Sequence, residues 1–268
     1  MKRSNLIVLA WQAAIAVVVL GAWEAAIRLG YLNPFWASSP SRIAGALLEI
    51  VREPLFLSHV TTTLYELLAG FFIGAGLGVA TGFVLAECPL IERVVAPYFT
   101  ALNSLPRVAL APLFILWLGI GPWSKIVIAA TLVVFIIIGN TLAAARNVDA
   151  DMLTVARLLG ARRGQLFLKV VLPAAAPVVF AGLRLGVIYA MLGTVVGEMI
   201  AANRGLGYML SFYAGSFQVS QLMATLVLLV ALSTALSGAT SWLERRLTGG
   251  RRRAAASPKT NPPEGAKP

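Results

Sequence analysis

Three ionisable residues, Arg107, Arg184 and Glu198, stand inside stretches that are otherwise apolar. A charge kept within a membrane segment lines a solute path, relays protons or meets a fixed partner. Arg184 falls about 15 Å into its stretch at 1.5 Å per residue. It could snorkel to the interface, hold a structural partner, or line a path for an anionic solute. Glu198 follows about 21 Å further along a helix, too far to pair with Arg184 directly. Arg107 closes the run Asn103-Ser-Leu-Pro106-Arg107. Pro106 removes a helical hydrogen bond, and a broken helix survives in a bilayer only where protein or a water-filled cavity surrounds the freed backbone. The run therefore reads either as pore lining or as a kink in a packed helix.

Other chemistries find no support in the residue types. The chain has one cysteine, Cys88, and one histidine, His59. A Cys/His metal cluster and an internal disulfide are thus excluded; Cys88 reads as a small buried or interfacial apolar residue and His59 as lying in a polar loop or at a helix entrance. No GxxxxGK[ST], HExxH or GxSxG run occurs, and Ser104 and Lys125 do not form a recognisable dyad. The expectation is a chain that is not an enzyme, with no catalytic residue, metal or cofactor of its own. Nucleic acid is an unsuitable partner, because no basic face with interleaved aromatics accompanies the net charge of +11.

The elements that must position these charges are membrane spans. Of 268 residues, 59% are hydrophobic and only 12% charged, with a mean hydropathy of +0.83. Six stretches approach the roughly 20 apolar residues that cross a bilayer: 6–27, 67–86, 94–119 (interrupted at 103–107), 126–145, 174–201 and 222–243. The first, behind Lys2 and Arg3, is too long for a cleaved signal and reads as an anchor. Gly70, Gly74, Gly78 and Gly82 recur every fourth residue in the second span, a small-residue face for close helix approach, within the bundle or against another subunit.

Basic residues are distributed unevenly between the two sides. The termini and the loops after spans two and four hold Lys2, Arg3, Arg93, Arg146, Arg157, Arg162, Arg163, Lys169, Arg245, Arg246 and the tail cations. The opposite side holds Arg28, Arg42, Arg52, Lys125 and Arg204. That bias places both termini and the loop after span four in the cytoplasm. Residues 1–247 form the transmembrane domain. Residues 248–268, rich in Pro, Gly, Ala, Lys and Arg, read as a disordered cytoplasmic tail that could touch anionic membrane lipid.

The loop after span four is patterned. Asp151–Pro177 reads as a short amphipathic helix (Met152, Leu153, Val155, Ala156, Leu159), a turn at Gly160, and a basic helix ending at Leu172-Pro173. A helix–Gly–helix unit of this kind is a docking surface for a soluble partner.

Thr154-Val-Ala156, Gly160 and Val171-Leu-Pro173 resemble the Glu-Ala-Ala loop of permease subunits in binding-protein-dependent ATP-binding-cassette (ABC) importers. Thr154 stands for the family's Glu and Val155 for Ala, which removes a polar contact but keeps the shape. The resemblance extends over about residues 30–246 to the nitrate/sulfonate/taurine branch, through Asn33-Pro34 to Ser39-Pro40-Ser41, Leu105-Pro106-Arg107, Pro112 to Gly121, Gly182-Leu-Arg184, Gly197-Glu198-Met199 and Gly205-Leu-Gly207-Tyr208.

It implies an all-α membrane protein with the six-helix type I importer permease fold, multi-pass in the bacterial inner membrane. It implies a homodimer, or a pair with a close homologue, on two ABC ATPase subunits that bind the ATP, served by an extracytoplasmic solute-binding protein. The coupling loop, about 146–173, would meet the ATPase through Met152, Leu153, Thr154, Ala156, Leu159, Gly160, Arg162, Arg163, Leu172 and Pro173. Asn103, Pro106, Arg107, Arg184 and Glu198 are the candidate path. The solute would be a sulfonate, nitrate or taurine; importers of thiamine-precursor pyrimidines are similar, and an ion-coupled secondary transporter is the competing class.

Overall fold

The computed structural model describes residues 2–33 and 35–255, with side chains over 7–33 and 35–246. Pro34 and residues 256–268 lie outside the described residues, and with them most of the expected tail. Every regular element described is helical: α1 (Lys2–Arg28), α2 (Pro40–Arg52), α3 (Phe56–Glu87), α4 (Pro89–Ser104), α5 (Ala111–Leu118), α6 (Pro122–Arg146), α7 (Ala150–Leu158), α8 (Arg163–Leu166), α9 (Leu172–Ala201), α10 (Leu206–Gly215) and α11 (Val219–Ala255). The backbone of α11 has no break at 247/248, where the tail was expected to begin; Arg and Ala are good helix formers, and the arginines suit a helix C-terminus.

Five helical segments are long and apolar enough to cross a membrane: Ile7–Arg28, Phe56–Glu87, Pro122–Arg146, Arg163–Ala201 and Val219–Arg246. The sixth expected span is a broken pair, Pro89–Ser104 and Arg107–Leu118, bent by 78°. The bend falls at Leu105-Pro106, where the proline has no N–H to give, and a 3-10 turn at Arg107–Leu110 leads into α5.

The core is α6 packed along α3 on one side and α9 on the other. The α3–α6 contact follows from the glycine series. A Cβ at Gly70 would lie 2.6 Å from the Ala129 Cβ, at Gly74 2.7 Å from Val133, at Gly78 2.7 Å from Ile137, and at Gly82 2.6 Å from Thr141. Both rows advance by four residues, so the two backbones meet over several turns. The glycine face is consumed within the chain, so it is not a subunit-facing surface.

Besides α7 and α8 of the patterned loop, two helices fall outside the expected spans. α2 begins where Ser39 accepts a hydrogen bond from the Arg42 backbone N–H and Pro40 takes a first-turn position, a pairing favoured at helix starts. It buries Ile43, Ala46 and Ile50. α10 packs on α9 and α11 and buries Leu206, Met209, Leu210 and Tyr213. α1 stands apart, joined to α2 through Glu24, which accepts from the Ser41 N–H at 3.0 Å and its hydroxyl at 2.8 Å.

The basic helix does not end at Leu172-Pro173. A π turn over Phe167–Val171 carries it into α9. The Leu172 N–H reaches back to the Phe167 carbonyl, and this wider turn accommodates a proline ring that would otherwise press on the preceding turn.

Gly78→Val should destabilise the protein by about 1–3 kcal/mol through overpacking against Ile137. Gly76→Ala, with nothing within 4 Å of the added Cβ, should leave thermal unfolding in detergent unchanged. Equal unfolding midpoints for the two variants would contradict the packing described.

Candidate functional site

The break between α4 and α5 opens on a cavity of about 490 Å³ bounded by α4, α6 and α9. Asn103 and Arg107 line it with Phe99, Phe135, Asn140 and Tyr189. Arg107 is held from two sides. Its Nη2 donates to the Asn103 backbone carbonyl at 3.3 Å and to the Asn103 side-chain oxygen, and its Cζ lies 4.2 Å above the Phe135 ring. Pro106 makes the break and does not itself line the cavity.

The other candidate path residues lie elsewhere. Arg184 is ion-paired with Glu244 on α11. Glu198 is 1% exposed, enclosed near the start of α10. Its Oε1 accepts from the Thr63 hydroxyl at 2.7 Å and its Oε2 from the Gly207 N–H at 2.6 Å. The Leu206 N–H donates to Thr63 Oγ1 at 2.7 Å and the Gly205 N–H to His59 Nδ1 at 3.0 Å. Residues 205–207, expected as an external turn, are thus the buried opening of α10. Gly205 has φ +117, and a Cβ there would meet the Glu198 carboxylate.

Two further charges share this enclosure. Glu66 on α3 and Lys125 on α6 are 3% and 1% exposed. Lys125 Nζ donates to the Gly121 carbonyl at 3.1 Å and to the Ile120 carbonyl, and its charge acts on both Glu66 and Glu198. Lys125 is therefore an internal cation and drops out of the count of loop charges. Sequence reasoning missed Glu66 and Lys125 because each sits at the end of an apolar run, where it looks like a flanking charge. The usable signal was that Glu66, Lys125 and Glu198 all fall near the same end of neighbouring spans. Among the described residues no group of three or more His, Cys, Asp or Glu could hold a metal.

At the opposite end of α6, residues 149–172 form a compact lever. Asp149 caps α7, accepting from the Asp151 N–H at 2.8 Å. α7 closes with Gly160 in the left-handed region at φ +80, while the Gly160 and Ala161 N–H groups reach back to Arg157 and Ala156. That is the paired bonding of a glycine helix stop. Met152, Val155, Leu158 and Leu159 are exposed, the two leucines at 83% each, as are Thr154, Gly160, Arg162 and Arg163. Ala156 and Pro173 are half-buried, and Leu172 is 38% exposed. Leu153 turns inward onto the cluster of Phe83, Ala144, Val171, Ala175 and Val179. Its place is to seat the lever, while Val155 and Leu158 join the outward face.

Residues 73–249 match the family described as the binding-protein-dependent transport system inner membrane component. The chain is 33% identical over 231 residues to the riboflavin transport system permease protein of Chloroflexus aurantiacus, covering 86% of each. It is 31% identical over 230 residues to the putative aliphatic sulfonates transport permease protein of Bacillus subtilis, covering 86% of this chain and 83% of that one. It is 28% identical over 237 residues to the taurine transport system permease protein of Escherichia coli, covering 86% of each. In structure it resembles a chain from the inward-facing MetNI methionine ABC transporter, with a TM-score of 0.65 and 23% identity over 73% of this chain and 99% of that one.

Lys125→Met should lower the thermal midpoint and yield, because it removes the cation whose field acts on two enclosed acidic groups and frees the Ile120 and Gly121 carbonyls it holds. Adding Glu66→Gln should restore part of the loss. Strictly additive effects in a double-mutant cycle would show that the two groups are not coupled.

Proposed function

Because this chain belongs to the family of binding-protein-dependent transport system inner membrane components, we propose that it is the translocating subunit of an ABC importer, working as a pair of permease chains on two ATPase subunits. The observation that carries the reading is the lever at residues 149–172. It shows apolar side chains to solvent at one end of the bundle, while Leu153 and Phe167 root it in the core. A soluble partner that seats Leu158 and Leu159 gains about 1.5–3 kcal/mol for each side chain buried. The ATP stays in that partner, and this chain needs no cofactor.

In this reading both termini and the lever face the cytoplasm, as the distribution of positive charge favours. An extracytoplasmic binding protein delivers the solute to the other face. Closure of the ATPases pushes the two levers, and each bundle rocks as a body between inward-open and outward-open states. Bilayer lipid covers the outer apolar faces. The ion-coupled secondary transporter falls away with the family.

The solute is a sulfonate or taurine-like anion, a reading supported by Arg107 in the cavity and by relatives named for sulfonates and taurine. Nitrate belongs to the same chemical class. A second reading is a flat heteroaromatic solute. Phe99, Phe135 and Tyr189 line the same cavity, and other relatives are named for riboflavin and formylaminopyrimidine.

Gly160→Val forces a branched side chain into a positive-φ position and should dislocate the lever. We expect ATP-driven, vanadate-sensitive solute uptake in proteoliposomes to fall at least about tenfold, by about 1.4 kcal/mol or more of coupling, with the chain still folded. Wild-type uptake by this variant would refute the lever assignment.

A further inference from the structure

The geometry points to a built anion site in the cavity at the α4–α5 break, with the Arg107 guanidinium as the group that binds one oxyanion headgroup during passage. This rests on reading the chain as the translocating subunit and assigns the solute's charged end to a particular side chain.

The first support is a contrast among cations. Among the described residues, Arg28 pairs with Glu24, Arg146 with Glu92 and Arg184 with Glu244, while Lys125 is held by the Ile120 and Gly121 carbonyls and lies in the field of Glu66 and Glu198. Arg107 meets no carboxylate, and no acidic residue lines its cavity. A charge set within a membrane bundle and left without a counter-ion is costly, so its partner is expected from outside the chain.

The second support is the way the guanidinium is fixed. Asn103 holds Nη2 and the Phe135 ring supports one face. The Nε is buried and has no hydrogen-bond partner, a position that is costly if nothing fills it. With Nη2 taken by Asn103, the Nε and Nη1 N–H groups are the donors left for the oxygens of a sulfonate or similar oxyanion. Asn140 and Tyr189 are further polar residues of the lining, and at about 490 Å³ the cavity has room for a small solute with its water.

The third support is local mechanics. Arg107 sits on the 3-10 turn directly after the break, so a rotation of α5 against α4 would carry the guanidinium relative to Phe135 and Asn140 on α6. Binding and release would then follow the movement of the bundle, with Arg107 weakening its hold on the anion in one state. A lysine at the same position would keep the charge and lose the two-oxygen geometry.

The test uses the full chain purified with its ATPase in zwitterionic nanodiscs. Cys88→Ser removes the native thiol, and Ala143→Cys, on the cavity wall, reports access. Rates of modification by the anionic reagent methanethiosulfonate ethylsulfonate and its cationic trimethylammonium analogue are compared. The expected result is a preference for the anionic reagent, slowed by added methanesulfonate, with Arg107→Gln lowering the preference about tenfold, as expected for one charge about 10 Å away across the cavity at an effective dielectric of about 20. Arg107→Lys should keep the preference and lose most of the methanesulfonate protection. Equal rates for the two reagents, or a preference unchanged in Arg107→Gln, would overturn the site. So would protection produced by adding phosphatidylglycerol and not by methanesulfonate, which would make the ligand a lipid headgroup. Co-purification of the ATPase is scored in the same preparations: its absence would count against the importer reading alone, whereas a retained ATPase with no anion preference would count against the Arg107 site alone.

Discussion

Close approach of α3 to α6 is the constraint on which the rest of this bundle depends. In lipid there is no hydrophobic gain from pressing apolar helices together, so association relies on dispersion between well-fitted surfaces. Four glycines of α3, each facing a side chain of α6 four residues on from the last, remove the side-chain layer between the helices. On its other side α6 meets Gly182 and Gly193 of α9, where an added Cβ would lie 2.7 Å from Asn140 and from the Ala129 backbone. A three-helix slab with so little space between backbones leaves its members little room to shift against one another. Rigidity of that kind lets a push at one end of α6 be felt at the other.

The two ends of α6 are specialised in opposite ways. At its start, Lys125 joins Glu66 and Glu198 in a closed polar knot that also ties the first turn of α10 to α3 through Thr63 and His59. A knot of buried polar groups has geometric requirements that an apolar contact lacks, so it fixes how α10 sits, at the price of desolvating three ionisable groups. At the other end, past Arg146 and its partner Glu92, α7 is seated by Leu153 and otherwise faces outward. One end is locked and the other is offered.

Arg107 lies between these ends at the bend of the one broken span among the described residues. The bend at Leu105-Pro106 removes a stretch of regular backbone from the wall of the bundle, and the cavity beside it is the space so created. A helix break, a cation without a carboxylate and an aromatic ledge coincide there, and the coincidence gives the cavity chemical content.

Much of this was legible in the residues. Apolar runs of about 20 residues announce spans because a bilayer admits no unsatisfied backbone. Pro106 announced a break, the four-residue glycine period announced a close contact, and Gly160 announced the turn that closes α7, whereas the stop expected at Leu172-Pro173 is bridged by a π turn into α9. Local rules suffice for such features: a proline lacks its N–H and a glycine lacks its Cβ wherever they stand. The partners of the charges were not legible. That Arg184 meets Glu244, that Glu66, Lys125 and Glu198 share one enclosure, and that residues 205–207 point inward as donors all depend on which helix lies beside which. Sequence by itself determined the number of apolar crossings, the place of the break and the glycine turn after α7; tertiary structure alone decided which ionisable groups meet a partner and which do not, because an ionisable side chain is satisfied through space by groups up to 135 residues away in the chain.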